Sequence, residues 1–122
     1  MARTAAEMVA EAKSKVRAIT PEEVSEMGNI LIVDVRDAPE VEASGKVPGA
    51  VHVPRGMLEF RADPSSPYHD KNFDPSKTVV LYCASGGRSA LAGAALQELG
   101  YTDVRNMGGF KDWIEKGLPI EK

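Results

Sequence analysis

One short segment holds the residue types best suited to chemistry. Tyr82-Cys83-Ala84-Ser85-Gly86-Gly87-Arg88-Ser89 contains the only cysteine of the chain, two adjacent glycines and an arginine. The residues before it, Thr78-Val79-Val80-Leu81-Tyr82, read as a buried strand. Those after Arg88 place Leu91, Ala92, Ala95, Leu96 and Leu99 on one side of a helix that ends at Gly100. The segment Cys83 to Gly87 thus joins a strand end to a helix start, the place where open α/β sheets bind ligands. A helix N-terminus supplies unpaired N–H groups and a partial positive charge. Gly86 and Gly87 let the chain curl so that successive N–H groups converge, and Arg88 adds a permanent charge. A cysteine at the mouth of such a cradle has its pKa lowered from about 8.5, so thiolate is available at neutral pH. The same N–H groups stabilise an anion bound to, or transferred from, the sulfur. A thiolate of this kind can attack a sulfane sulfur and become a persulfide. The ordinary alternative is a buried structural cysteine, and it leaves the Gly-Gly-Arg that follows without a purpose.

The elements that must position this loop are legible around it. Ile30-Leu31-Ile32-Val33 is a continuous apolar run, the mark of a strand buried on both faces. A short strand follows the Pro48-Gly49 turn over residues 50–53, a short helix is expected within 54–60, and 61–77 reads as loop. Asp103 to Asn106 reads as a last short strand, and Gly108-Gly109 opens a helix through Trp113 to about Lys116. Near the N-terminus, Thr20-Pro21-Glu22-Glu23 is a capping box with Pro at the first helical position, starting a helix to about Met27. Residues 4–16 place Ala5, Met8, Val9, Ala12 and Val16 at helical spacing, an amphipathic helix that packs on its own domain or meets a partner. Strands alternating with helices predict an α/β fold with a mostly parallel sheet.

Other polar residues have two readings each. Asp34 and Arg36 end the first buried strand on the same carboxyl edge as Cys83. Asp34 is expected to accept N–H groups or pair with Arg36, while Arg36 is placed with the substrate-binding residues at the pocket rim. Arg55, Glu59 and Arg61 either line the entrance or form a solvated face. His52 is expected to be a satisfied histidine beside the sheet, because a thiolate stabilised by its loop needs no base. Phe110 and Trp113 read as core, and Gly108-Gly109 as a tight turn close to the loop.

The chain of 122 residues suits one domain. With 43% hydrophobic and 27% charged residues it can bury a core without disulfides or a metal. A net charge of -3 argues against nucleic acid or an anionic membrane as partner. One cysteine and two histidines, His52 and His69, give neither a disulfide nor a Cys-His zinc cluster. A lone thiol, with no membrane span or leader pattern, points to the cytoplasm.

Taken together, four segments make the chain resemble the single-domain rhodaneses, or thiosulfate sulfurtransferases, from about residue 18 to 119. They are Asp34-Val35-Arg36; Gly45 to Pro54, reading GKVPGAVHVP; Val80 to Ser89; and Asn106-Met107-Gly108-Gly109-Phe110-Lys111-Asp112-Trp113. The resemblance divides the chain into an N-terminal amphipathic helix over 1–17 and a rhodanese domain over 18–122. It implies a three-layer α/β/α fold with a five-stranded sheet. It also implies a catalytic Cys83 that cycles through a persulfide, with the backbone of Ala84, Ser85, Gly86, Gly87, Arg88 and Ser89 as the anion cradle. The substrates it implies are a small sulfur donor such as thiosulfate and a thiol, a protein or cyanide as acceptor. No cofactor is required, and the protein is expected to be a monomer or homodimer. The Gly-His-Ile usual before the Pro-Gly turn is here Gly45-Lys46-Val47. Two other readings stand beside sulfur transfer: a persulfide carrier or partner-binding module, and a Cys-dependent phosphatase or arsenate reductase. Related phosphatase loops hold five residues between Cys and Arg and commonly a His before the Cys. This chain has four, Ala84 to Gly87, and Tyr82.

Overall fold

The computed structural model describes residues 2–122. Five strands form one wholly parallel sheet in the order β1-β5-β4-β2-β3. They are β1 (Arg17–Ala18), β2 (Leu31–Asp34), β3 (Val51–His52), β4 (Val79–Cys83) and β5 (Val104–Gly109). The helices are α1 (Ala5–Lys15), α2 (Pro21–Glu26), α3 (Ala38–Ser44), α4 (Leu58–Ala62, entered through a 3-10 turn at Arg55–Met57), α5 (Gly87–Glu98) and α6 (Phe110–Glu115).

The central strand β4 is buried along its whole length. Its residues alternate between the two faces of the sheet. Val79, Leu81 and Cys83 join the core packed with Ala92 and Leu96 of α5, whereas Val80 and Tyr82 join the core packed with Val24 of α2 and Trp113 of α6. The result is three layers, and Cys83 lies on the α5 side.

At the carboxyl edge, β2 leads away to its neighbour β3, while β4 leads away to β5 on the other side. The loops after β2 and β4 therefore part from one another, which makes this edge a topological switch point with an open crevice.

Three elements differ from the sequence expectation. β1 is an exposed two-residue strand, too short for any alternation to register. α3 lies where no helix was expected. Its start, Asp37-Ala38-Pro39-Glu40, repeats the logic of Thr20-Pro21-Glu22-Glu23: the Asp37 N–H donates to the Glu40 carboxylate at 2.9 Å. β5 runs three residues further than expected, because parallel pairing with β4 resumes after an irregularity at Leu81/Tyr82 and joins Cys83 to Gly109. Gly108-Gly109 thus ends a strand as well as opening a helix, since Gly109 is the N-cap of α6.

The amphipathic helix packs on its own domain. Ala12 and the following Val16 are buried, and Gly93 of α5 leaves the space that Val16 fills: a Cβ there would stand 2.9 Å from the valine methyls. Met8 of the same stripe stays exposed.

Candidate active site

β4 delivers Cys83 to the switch point, and the chain then turns through Ala84, Ser85 and Gly86 into α5. The turn needs Gly86, whose φ of 103° is a left-handed value that side chains disfavour. It also needs close contact with β5. A Cβ on Gly86 would stand 3.3 Å from the Gly108 Cα, and one on Gly109 would strike the Ala84 carbonyl oxygen. Gly86 on the loop and Gly108-Gly109 on the strand end therefore let the two backbones meet closely.

The loop points its donors at sulfur. The Gly86 N–H donates to Cys83 Sγ at 3.0 Å, and Ser89 Oγ lies 3.4 Å from it. Burial pushes the thiol pKa up, since the residue is 1% exposed. The Ser89 hydroxyl and the N–H groups of Ser89, Gly86 and Ser85 outweigh that burial, and the net result is a pKa below the ordinary thiol value. Of the residues expected to form the cradle, Ser85, Gly86 and Ser89 are the ones that act on the sulfur. Ala84 and Ser85 are exposed at its outer lip.

Asn106 holds this cradle from behind. Its Oδ1 accepts from Ser89 Oγ at 2.7 Å and from the Gly108 N–H at 2.9 Å, and its Nδ2 donates to the Gly86 carbonyl at 3.2 Å. The sequence signal for this role is a polar residue two positions after Val104, on a strand face that otherwise meets the core. Beside the loop, Lys13, Ser85, Asn106 and Gly108 border a pocket of about 270 Å³.

Arg88 faces the mouth but is not free. Its Nη1 and Nη2 donate to the two oxygens of Glu40 at 2.7 and 2.8 Å, joining α5 to α3 across the crevice. Hydrogen bonds from Arg88 and the Asp37 N–H pull Glu40 down to about 2, against a small opposing effect of burial. Glu40, like Asn106, is a site residue that sequence reasoning missed.

Arg36 requires a correction. It is 3% exposed and does not stand at a pocket rim. Its Nε and Nη2 grip the fully buried Asp34 carboxylate, Nη2 also donates to the Gly45 carbonyl at 2.7 Å, and Nη1 donates to Ser44 Oγ at 2.7 Å. Its guanidinium lies 4.4 Å from the Phe110 ring centroid. With its donors committed inside the protein, Arg36 is a brace between β2, α3 and α6, not an anion receptor. His52 is satisfied, donating from Nε2 to the Arg36 carbonyl at 2.6 Å. Arg55 and Glu59 pair with each other at 2.8 Å and border a groove with α1 and α5, and Arg61 is exposed. Among the described residues, no cluster of His, Cys, Asp and Glu could hold a metal ion, and no helix is long and apolar enough to cross a membrane.

The comparison that decides the family is a match to the rhodanese-like domain over residues 20–116. The chain belongs to the rhodanese-like family. A sulfurtransferase of Allochromatium vinosum is 36% identical over 93 residues, covering 75% of this chain and 78% of its own. The thiosulfate sulfurtransferase PspE of Escherichia coli is 40% identical over 80 residues, covering 66% and 70%. A solved structure from Rhodopseudomonas palustris superposes with a TM-score of 0.92 at 41% identity, covering 99% of this chain and 96% of that one. That protein is described as being of unknown function and a possible tyrosine phosphatase. These named relatives support sulfur transfer, in general terms, for this rhodanese-like chain.

Proposed function

We propose that the protein transfers sulfane sulfur from thiosulfate or a persulfide to a thiophilic acceptor, through a persulfide on Cys83. The observation that carries this reading is the convergence of the Gly86 N–H and the Ser89 hydroxyl on the Cys83 sulfur. The thiolate attacks the outer sulfur of thiosulfate. A sulfur–sulfur bond forms to Sγ, the donor's sulfur–sulfur bond breaks, and its electron pair leaves with sulfite. The N–H groups of residues 84–89 then hold the negative outer sulfur of the persulfide. An acceptor, cyanide in the assay or a thiol in the cell, attacks that outer sulfur. The persulfide bond breaks and the Cys83 thiolate returns.

Phosphoryl transfer is the competing reading, supported by the description of the Rhodopseudomonas palustris neighbour. The loop argues against it. Only Ala84 to Gly87 separate Cys83 from Arg88, and Arg88 is already held by Glu40. A small cradle with a neutralised arginine suits one sulfur atom better than a phosphoryl group. Thiosulfate:cyanide turnover and p-nitrophenyl phosphate hydrolysis, measured on the wild type and on Cys83→Ser, separate the two. Thiocyanate formation that vanishes in Cys83→Ser is expected. Cys83-dependent phosphate release without thiocyanate would replace this reading with the other.

A further inference from the structure

The crevice holds an ion pair whose position has a consequence for donor choice. Arg88 lies within charge range of the Cys83 sulfur, and the other charged groups acting on Arg88 are Glu40 and Asp37, both acidic. Glu40 occupies both terminal nitrogens of Arg88 in a fork-to-fork geometry, the arrangement that a sulfonate or phosphate would otherwise take. Glu40 is also fixed in place: it sits in the first turn of α3, and the Asp37 N–H donates to it at 2.9 Å. The second arginine of the region, Arg36, is committed to Asp34. The mouth of the site therefore offers backbone N–H dipoles with a compensated guanidinium, rather than a net positive charge.

We propose that Glu40 is a positioning residue that sets donor selectivity through Arg88, disfavouring the sulfonate-type donor thiosulfate and favouring alkyl persulfides. The inference rests on the sulfurtransferase reading. In thiosulfate, the group that leaves is a dianion with three oxygens that call for cationic partners. In an alkyl persulfide, the Cys83 thiolate bonds to the terminal sulfur, the donor's sulfur–sulfur bond breaks, and the electron pair leaves on a single thiolate that takes a proton from water. That leaving group asks little of Arg88. An anionic sulfonate must either share Arg88 or displace an anchored carboxylate, which costs binding.

The test compares two donors, thiosulfate and glutathione persulfide, at one ionic strength with a common acceptor. In Glu40→Gln the amide oxygen can still accept the Asp37 N–H, but the charge on Arg88 is released. The ratio of kcat/KM for thiosulfate to that for glutathione persulfide is expected to rise about tenfold, the effect of one uncompensated charge near the surface. The change should appear chiefly as a lower KM for thiosulfate. In an Arg88→Ala background the same Glu40→Gln change should leave the ratio nearly unaltered, because the two residues act as one unit. An unchanged ratio, or an equal loss with both donors, would overturn the proposal, as would a full effect persisting without Arg88. Intact mass of the wild type after each donor keeps the two ideas apart. Sulfur added to Cys83 with no shift in the ratio refutes only the role of Glu40, whereas no sulfur added by either donor refutes the underlying activity.

Discussion

Ser89 Oγ stands 3.4 Å from Cys83 Sγ and 2.7 Å from Asn106 Oδ1, so one hydroxyl proton serves two acceptors. With Cys83 as a thiol, the proton points to Asn106 and the sulfur can donate to Ser89. With Cys83 as a thiolate, the hydroxyl turns to the sulfur and stabilises the charge. The Gly108 N–H keeps Asn106 Oδ1 satisfied in either state. The loop thus carries a small switch matched to the ionisation of its nucleophile.

Removing that hydroxyl has a directional effect. Burial raises the thiol pKa, and Ser89 is the largest of the groups that lower it. In Ser89→Ala the rate of Cys83 alkylation by iodoacetamide at pH 7 should fall about tenfold, the equivalent of about 1.5 kcal/mol for a hydrogen bond to a charged group. The pH profile should move upward, so that the rates of variant and wild type converge at alkaline pH, where both are thiolate. A parallel loss at every pH would assign Ser89 to folding alone.

Arg36 should behave as a brace. Asp34 is 0% exposed and Arg36 is its ion partner. Arg36→Ala leaves a buried carboxylate without that partner, at a cost of about 3–5 kcal/mol in denaturant unfolding. Arg36→Lys should recover only part of it, since an ammonium cannot reproduce the fork or the stacking on Phe110. Folded Arg36→Lys is expected to keep the wild-type KM for thiosulfate. A large rise in KM with unchanged stability would return Arg36 to the substrate-binding residues.

Gly109 tests the fit between loop and strand. A methyl group there collides with the Ala84 carbonyl oxygen and crowds the Ser85 Cα. Overpacking of this kind costs about 1–3 kcal/mol, and relief can come only by moving the loop that aims N–H groups at sulfur. Gly109→Ala should therefore lose sulfur loading of Cys83 by more than its loss of stability explains, at temperatures where circular dichroism shows the protein folded. Gly28→Ala, where a Cβ meets nothing within 4 Å, is the matched control.

Much of this arrangement is legible in the amino-acid order because it rests on local signals. Buried strands such as β4 announce themselves as apolar runs, and Cys83, Gly86, Gly87 and Arg88 are adjacent in sequence. What escaped depends on partners far apart in the chain. Glu40 lies 48 residues from Arg88, and nothing in either local pattern reveals the pair. Asn106 acts on a loop about 20 residues upstream. Arg36 looked like an anion receptor because its position at a strand end is right; only the packing of Phe110 and the carbonyl of Gly45 show that it points inward. The helix α3 was readable from Asp37-Ala38-Pro39-Glu40, but none of its residues is buried, so no apolar stripe advertised it.

Whether Cys83 carries the sulfur can be read from intact mass. The purified, reduced protein is incubated with thiosulfate or glutathione persulfide, freed of donor, and weighed before and after addition of cyanide. The expected result is one added sulfur atom in the wild type, its removal by cyanide, and no addition in Cys83→Ser. A wild type that gains no sulfur from either donor, or an adduct that persists in Cys83→Ser, would contradict it.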